Sequence, residues 1–298
     1  MSESQTTLRL GIVDTETTGF SHEDDRLIQV ALILPQPNTP VEEWPVFNQY
    51  CNPGIPIPAT ASAVHHITDL DVAQAPPVES LVEDLVGFIR AHAADIDALV
   101  AHNAPFDRGF LPALSDHAWI DTRRWAQHLI PEAPGFSNQV LRYHLGCDVP
   151  KTYKGRTLEA HDALADVIVT SRIAQNLMRM HHDAGHDLSV DGVRSVCERP
   201  LMIESFPFGK HRGVAVSDVI KKDPGYVRWA LSNIEDMDAD LKATLIKRSP
   251  DALLSAIAGS DTNEDSASPS SMAREELFAR SAQPADPSRS VRSARFGV

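Results

Sequence analysis

The chain has 298 residues, a formal net charge of −14 at pH 7, and 42% hydrophobic and 23% charged residues. These values are typical of a soluble globular protein, and the length predicts one large domain with smaller additions. No stretch approaches the roughly 18 apolar residues of a membrane span, and the N-terminus lacks the pattern of a secretory signal, so we expect a cytoplasmic protein. Three widely spaced cysteines, Cys51, Cys147 and Cys197, are expected to be free buried thiols.

The acidic balance bears on the kind of partner. Binding to phosphate usually needs a basic face, so a charge of −14 argues mildly against a tight nucleic-acid binder. It does not argue against an enzyme that holds metal cations, because a cluster of carboxylates with bound metal attracts a phosphodiester.

The first half of the chain predicts strands and then a strand–helix alternation. Apolar runs at 8–13, 26–34 and near 44–50 are joined by short connections, which is typical of an antiparallel meander. A proline-rich loop covers 51–60. The predicted elements that follow are a helix over 79–94, a short buried strand over 97–102 and a helix beginning at Asn103.

The second half continues the alternation. Residues 119–122 predict the end of a strand, and Ser137 is a favourable N-cap for a helix that Gly146 closes. A long amphipathic helix is predicted over 162–180. Strands followed by alternating strands and helices predict an α/β domain with a mixed sheet flanked by helices.

The domain organisation follows from shifts in composition. We assign 1–182 to the main domain, 183–199 to a polar linker, and 200–250 to a small C-terminal module that carries two helical patterns. Residues 251–298 are rich in Ser, Ala, Pro, Asp and Arg, with few large apolar residues, and are predicted to be a disordered tail.

Asp14 and Glu16 stand two residues apart at the end of the first apolar strand. Residues i and i+2 of a strand point to the same face, so the two carboxylates project together. Buried without a partner, they would cost several kcal/mol or take up protons. A divalent cation such as Mg²⁺ resolves that conflict, although a bare Asp-x-Glu in a solvated turn is common.

Three further candidates are weaker when taken singly. Asp107 should lie in the first turns of the helix that follows 97–102, where an acid is also an ordinary choice. His161 and Asp166 are five residues apart and converge only if His161 precedes the helix, with Asp166 in its second turn. Asp162, a possible N-cap, is consistent with that start.

Together, DTETTG, HNAPFD and HDALAD resemble the three motifs of the DEDDh family of 3′→5′ exonucleases. The resemblance implies a ribonuclease H-like fold with Asp14, Glu16, Asp107 and Asp166 meeting at one end of the sheet. It also implies two Mg²⁺ ions, for which Mn²⁺ can substitute, about 4 Å apart. His161 would take the proton from the attacking water, a task suited to an imidazole.

The resemblance extends to contacts with the substrate. The segment AVHHITD is similar to the one that packs against the terminal nucleotide in the family, which implies contacts from His65 and Ile67. For Ile67, simple core packing is the alternative. By the same resemblance, His102 and Asn103 would lie near the 3′ nucleotide, and the backbone of Thr17 and Thr18 near the terminal sugar.

The C-terminal module contains SFPFGKHRG and resembles the C-terminal segment of bacterial exodeoxyribonuclease X enzymes. This implies DNA 3′ ends as substrate, single- or double-stranded, and a role in DNA repair. Its cations and aromatics suit a nucleic-acid groove, and we favour phosphate contacts for Lys210 and Arg212, while Tyr226 and Trp229 equally suit a small core. An RNA 3′-end exonuclease, a polymerase proofreading subunit and a non-catalytic nucleic-acid-binding protein remain alternatives.

Overall fold

A five-stranded mixed sheet organises the first part of the chain in the computed structural model, which describes residues 8–251. The strands are β1 (Leu10–Thr17), β2 (Leu27–Ile33), β3 (Val46–Tyr50), β4 (Ala98–Ala101) and β5 (Trp119–Asp121). Their order across the sheet is β3-β2-β1-β4-β5. β1 to β3 form the predicted antiparallel meander, while β4 and β5 run parallel to β1. This confirms the predicted mixed sheet.

The two faces of the sheet carry separate cores because side chains alternate along a strand. Ile12, Ile33 and Val100 belong to one cluster, and Val13 and Leu32 belong to the other. Every residue of β2 is buried, as expected for a strand covered on both faces. The sheet is therefore a rigid platform, and polar residues at its edge stand out.

Helices cover both faces. The main-domain helices are α1 (Ala59–His65), α2 (Asp69–Val72), α3 (Val78–His92), α4 (Ala104–Phe110), α5 (Thr122–Leu129), α6 (Asn138–His144) and α7 (Ala163–Asp183). A short hairpin, β6 (Thr152–Tyr153) and β7 (Arg156–Thr157), precedes α7. As predicted, Ser137 caps α6, and Gly146 takes a positive φ of 60° just beyond its end.

The prediction of a linker over 183–199 is wrong in structural terms. Helix α8 (Val190–Cys197) lies within it, and Ser189 caps that helix. Val193 and Val196 are buried in the same cluster as the core of α7. Flanking Gly, Asp and Pro residues obscured a pattern of only two turns, in which the apolar positions are few.

The C-terminal module is a small helical unit of α9 (Val216–Lys222), α10 (Pro224–Asn233) and α11 (Ala239–Arg248). Its own core contains Phe206, Phe208 and Val227. The guanidinium of Arg124 in α5 forms an ion pair with Asp240 of α11 and also donates to the backbone carbonyls of Cys197 and Arg199. These contacts dock the module on the main domain.

Three other predictions have defined outcomes. All three cysteines are free; Cys51 and Cys197 are buried and Cys147 is partly exposed. Within residues 8–251, no helix combines the length and apolar character needed to cross a bilayer. Apart from Asp251, the predicted disordered tail, 251–298, lies outside the described residues.

Candidate active site

Asp14 and Glu16 lie near the end of β1, opposite Ala31 and Gln29 of β2. Both are partly buried. The pairing with β2 shifts register between Glu16 and Thr17, so the regular sheet gives way to a loop immediately after the two acids. Strand alternation thus presents both carboxylates together where the sheet opens.

Asp166 completes a cluster of three carboxylates. It is 8% exposed, on a helix that packs across β1 and β2. One ligand atom from each of Asp14, Glu16 and Asp166 lies within 4.8 Å of the other two. As expected, Asp162 is the N-cap of α7; the helix begins at Ala163, which places Asp166 in the first turn and not in the second. The required convergence is therefore met.

The stretch before α7 orients Asp166. His161 has a left-handed backbone with φ 63°, and its amide donates to Asp166 Oδ2 at 2.9 Å. Gln139 Nε2 donates to the other carboxylate oxygen at 3.2 Å. Asp162 caps the helix by accepting from the Leu164 amide. The imidazole of His161 is exposed, so it can reach a substrate at the edge of the cluster.

Asp107 approaches the same cluster from α4. It lies in the first turn of that helix, is 2% exposed, and accepts a hydrogen bond from the Thr15 hydroxyl at 2.8 Å. Its charge is close enough to raise the pKa of both Asp14 and Glu16. The four acids predicted from the sequence therefore meet, with Asp107 outside the closest three.

The electrostatics of the cluster favour an added cation. Burial, reinforced by repulsion among the carboxylates, raises the pKa of Asp14 and of Glu16 well above the usual range. Burial also raises the pKa of Asp107 to about 7 and that of Asp166 to about 6. Hard oxygen ligands crowded in this way fit a divalent ion, which would return them to the charged form.

A cavity of about 460 Å³ adjoins His161 and is also lined by His65 and Ile67. His65 Nδ1 accepts from the Ile67 amide at 3.0 Å, which places the proton on Nε2. Nε2 is buried and makes no well-formed hydrogen bond within residues 8–251, although the Thr17 backbone is near enough to act on the pKa of the ring. Ile67 is 5% exposed and packs with Ile28 and Val72, so it serves the core as well as the cavity wall.

His102 and Asn103 were predicted to lie near the 3′ nucleotide, and their hydrogen bonds bear on that prediction. Both ring nitrogens of His102 are engaged, 2.9 Å from Thr122 Oγ1 and 2.8 Å from the Phe136 carbonyl, and burial lowers its pKa to about 4. A direct contact from this ring to a nucleotide is therefore not supported, because internal bonds already satisfy it. Asn103 has a left-handed backbone at the start of α4, and its backbone N–H donates to the carboxylate of Asp121.

The threonine loop after β1 is internally bonded. The Thr17 hydroxyl donates to the Gly19 carbonyl, and the Thr18 hydroxyl donates to Asp25. The Thr18 amide donates to the Arg26 carbonyl. These bonds fix the conformation of the loop beside the acids. The backbone N–H of Thr18 already donates within the protein, so it is not available to donate to a substrate.

Lys210 and Arg212 belong to the C-terminal module and do not line the cavity beside His161. Lys210 Nζ is 2.8 Å from Asp223 and lies over the ring of Tyr226. Tyr226 packs against the module core, and its ring centroid is 5.5 Å from that of Trp229. The aromatic residues therefore serve mainly as core in this small unit.

Comparisons with known proteins agree with this geometry. The family model described as Exonuclease matches residues 12–174, and that described as Exodeoxyribonuclease X-like C-terminal matches 206–235. Exodeoxyribonuclease 10 of Escherichia coli (strain K12) is 32% identical over 236 residues, which is 79% of this chain and 96% of the relative. The chain belongs to the exonuclease family.

Two further members show different coverage. A DNA polymerase III subunit epsilon-like protein of Rhodobacter capsulatus is 33% identical over 56% of this chain and 23% of its own length. The solved structure of Exonuclease X in complex with 5′ overhanging duplex DNA is 26% identical and covers 63% of this chain and 99% of that one, with a TM-score of 0.47. The acidic cluster of this chain is suited to binding a divalent metal.

Sequence reasoning missed two supporting side chains of this exonuclease, Thr15 and Gln139, which donate to Asp107 and Asp166. Asp162, expected only as a helix cap, also adds a negative charge beside the cluster. Thr15 was predictable in part, because it sits between the two acids of the first motif. Gln139 carries no such signal, since its contact depends on how α6 packs against α7.

Proposed function

We propose that this exonuclease removes nucleotides from the 3′ ends of DNA and releases nucleoside 5′-monophosphates. The observation that supports this most strongly is the cluster of Asp14, Glu16 and Asp166, whose ligand atoms lie within 4.8 Å of one another in a member of the exonuclease family. DNA as substrate is taken from the relative named Exodeoxyribonuclease 10 and from the C-terminal module that it shares.

Asp14, Glu16 and Asp166, with Asp107 beside them, would hold two Mg²⁺ ions. When bound, such a pair stabilises the charge on the attacking and leaving oxygens of an in-line displacement. The chain contributes the crowded oxygen ligands, and it orients Asp166 through the His161 amide and Gln139. Similar outer contacts commonly raise metal affinity by fixing the ligands.

His161 acts as the general base in this proposal. Its imidazole is exposed next to the acids and opens onto the cavity of about 460 Å³. It accepts the proton of the attacking water, so that the water oxygen bonds to phosphorus as the bond to the 3′ oxygen of the next nucleotide breaks. General-base catalysis of this kind contributes roughly 10²- to 10⁴-fold.

The cavity is proposed to receive the terminal nucleotide. His65 lines this cavity, and its buried Nε2–H, which lies near the Thr17 backbone without a well-formed hydrogen bond, would donate to a substrate oxygen. Ile67 would contact the base through the small part of its side chain that is exposed to the cavity. The backbone of Thr17 and Thr18, together with Asn103, would surround the sugar.

The wider role is proposed to be repair of DNA by trimming 3′ ends in the cytoplasm. Lys210 and Arg212 of the C-terminal module would neutralise phosphates further along the strand. This requires Lys210 to exchange its ion pair with Asp223 for one with a phosphate, which is a modest cost for a pair at the surface.

The test uses oligonucleotides labelled at the 3′ or the 5′ end, with Mg²⁺, for the wild type and for Asp14→Ala. The expected result is immediate release of labelled mononucleotide from the 3′-labelled strand and a ladder from the 5′-labelled strand. Asp14→Ala should lose activity by roughly three orders of magnitude, because several kcal/mol of charge stabilisation disappear.

Equal activity of the two proteins would reject the assigned site. A matched RNA strand cleaved faster than the DNA strand would reject DNA as the main substrate. Binding of either strand without turnover in Mg²⁺ or Mn²⁺ would reject an enzyme altogether. Co-purification with a polymerase would favour the proofreading role instead.

A further inference from the structure

The hairpin β6–β7 carries an arginine to the start of α7, next to His161. Lys154 and Gly155 at its tip both have positive φ, 48° and 83°, which is typical of a tight two-residue turn. This turn directs Arg156 back toward the helix, where its guanidinium forms an ion pair with Asp162. Arg156 is thus fixed by the turn at one end and by the ion pair at the other.

Asp162 needs this partner for two reasons. It directly follows His161 and caps α7 by accepting from the Leu164 amide at 3.0 Å. Its charge also adds to the repulsion on Asp14 and Glu16. A fifth acid beside four others is unfavourable unless a cation faces it, and Arg156 supplies that cation.

His161 itself has a backbone that needs support. A φ of 63° is left-handed, which is strained for a residue with a side chain. Its amide bond to Asp166 Oδ2 holds one side of the residue. The Arg156–Asp162 ion pair anchors the next residue, so the conformation of His161 is fixed from both sides.

We propose that Arg156 is a positioning residue for the reaction: its ion pair with Asp162 holds His161 in the conformation that faces the substrate cavity. Both members of the pair line that cavity together with His161. The inference rests on the proposed role of His161 as general base. Arg156 acts on the proton transfer through Asp162 and makes no bond to the reacting atoms.

The experiment compares Arg156→Gln, Arg156→Lys, Asp162→Asn and the double variant Arg156→Gln/Asp162→Asn by steady-state kinetics on a 3′-labelled oligonucleotide. Arg156→Gln should lower kcat roughly tenfold with KM nearly unchanged, since small displacements of a catalytic group are costly. Arg156→Lys should recover most of the loss. Asn remains a good helix cap. Because both single variants break the same ion pair, the fold loss of kcat in the double variant should be smaller than the product of the two single losses.

A control and an independent readout complete the test. Lys154→Gln alters an exposed cation on the same hairpin and should leave kcat unchanged. The amide of His161 should exchange with solvent faster in Arg156→Gln than in the wild type, because its bond to Asp166 is no longer held in place. Thermal melting of each variant establishes that it is folded.

Two results would overturn the inference. The first is an Arg156→Gln variant with normal kcat and a raised KM, where KM rises by the same factor in the wild type and in the Asp162→Asn variant. That result would indicate that Arg156 contacts a phosphate directly. The other is normal kinetics in Arg156→Gln. His161→Ala separates this failure from that of the proposed function: an inactive His161→Ala beside a fully active Arg156→Gln rejects only the positioning role.

Discussion

The acids of the main-domain cluster and the acid Asp223 of the C-terminal module have pKa values shifted in opposite directions. In the main domain, Asp14, Glu16 and Asp166 are brought together; burial raises the pKa of all three, and repulsion from neighbouring acids raises it further. In the module, Lys210 and His211 face Asp223, and these partners lower its pKa below the usual range.

The contrast distinguishes a site from a scaffold. An acid whose partners lower its pKa contributes to the stability of the fold at neutral pH, and those partners compete with any ligand for it. Acids that repel one another weaken the metal-free fold, and an external cation relieves this. We therefore expect changes at the two regions to act on stability in opposite directions.

The largest effect should be the dependence of metal-free stability on pH. The raised pKa values of Asp107 (about 7) and Asp14 mean that the folded state binds protons more tightly than the unfolded state. Stability from these groups is present at low pH and is lost as pH rises. Below about 6.5, histidines with lowered pKa values oppose this trend, among them His102 and His65.

The clean window therefore lies above about pH 7.5, where these histidines are almost wholly neutral in both states. Between about pH 7.5 and 9, the chelated protein should lose on the order of 2 kcal/mol, measured by urea unfolding. Mg²⁺ should restore the loss, and more strongly at the higher pH. A chelated protein that becomes more stable across this window would contradict the assignment.

Next in size is the loss of the ion pair that docks the module. Arg124→Ala leaves the carboxylate of Asp240, which is only 14% exposed, without its cation. Unfolding free energy should fall by about 2 kcal/mol, less than for a fully buried pair, since Arg124 is partly exposed. Arg194→Ala is the matched control, because its exposed pair with Glu198 should contribute under about 0.5 kcal/mol.

Asp14→Asn should have the opposite sign. Removing one charge from the crowded cluster should stabilise the chelated protein by about 1 kcal/mol at pH 8 and abolish the stabilisation by Mg²⁺. Thermal melts with and without Mg²⁺ measure both. Glu83→Gln, at an exposed position of α3, should change neither, and a destabilised Asp14→Asn would argue against repulsion in the cluster.

The smallest effect concerns DNA affinity. Charge reversal at Lys210 and Arg212 should weaken binding several-fold and reduce the salt slope of log K by about 1 for each phosphate that is no longer neutralised. Fluorescence anisotropy over a range of salt measures this. Lys242→Glu, an exposed change on α11, is the control, and an unchanged slope in the double reversal would remove the module from the binding surface.

Much of the fold was predictable because its patterns are local. The apolar runs of β1 and β2, the cap at Ser137 and the period of α7 are all readable within a few residues. Helix α5 and the hairpin β6–β7 were missed. Their residues are mostly polar, and they form because Asp121 caps α5 and because Tyr153 is buried in the core.

The acids of the site were predictable as motifs, while their support was not. Asp14 and Glu16 follow from strand alternation alone. The convergence of Asp166 required the exact start of α7, which Asp162 indicated correctly as the N-cap; only the turn that holds Asp166 was misjudged. The internal bonds of His102 involve residues 20 and 34 positions away, so no local pattern revealed that its ring was already satisfied.

Whether the three carboxylates bind metal beside the substrate is tested directly by anomalous scattering from a crystal grown with Mn²⁺ and a nucleoside 5′-monophosphate. We expect strong peaks within bonding distance of Asp14, Glu16 and Asp166, with the phosphate beside them, and no such peaks in Asp14→Asn. Ordered nucleotide bound elsewhere, with no metal between these three carboxylates, would contradict this expectation.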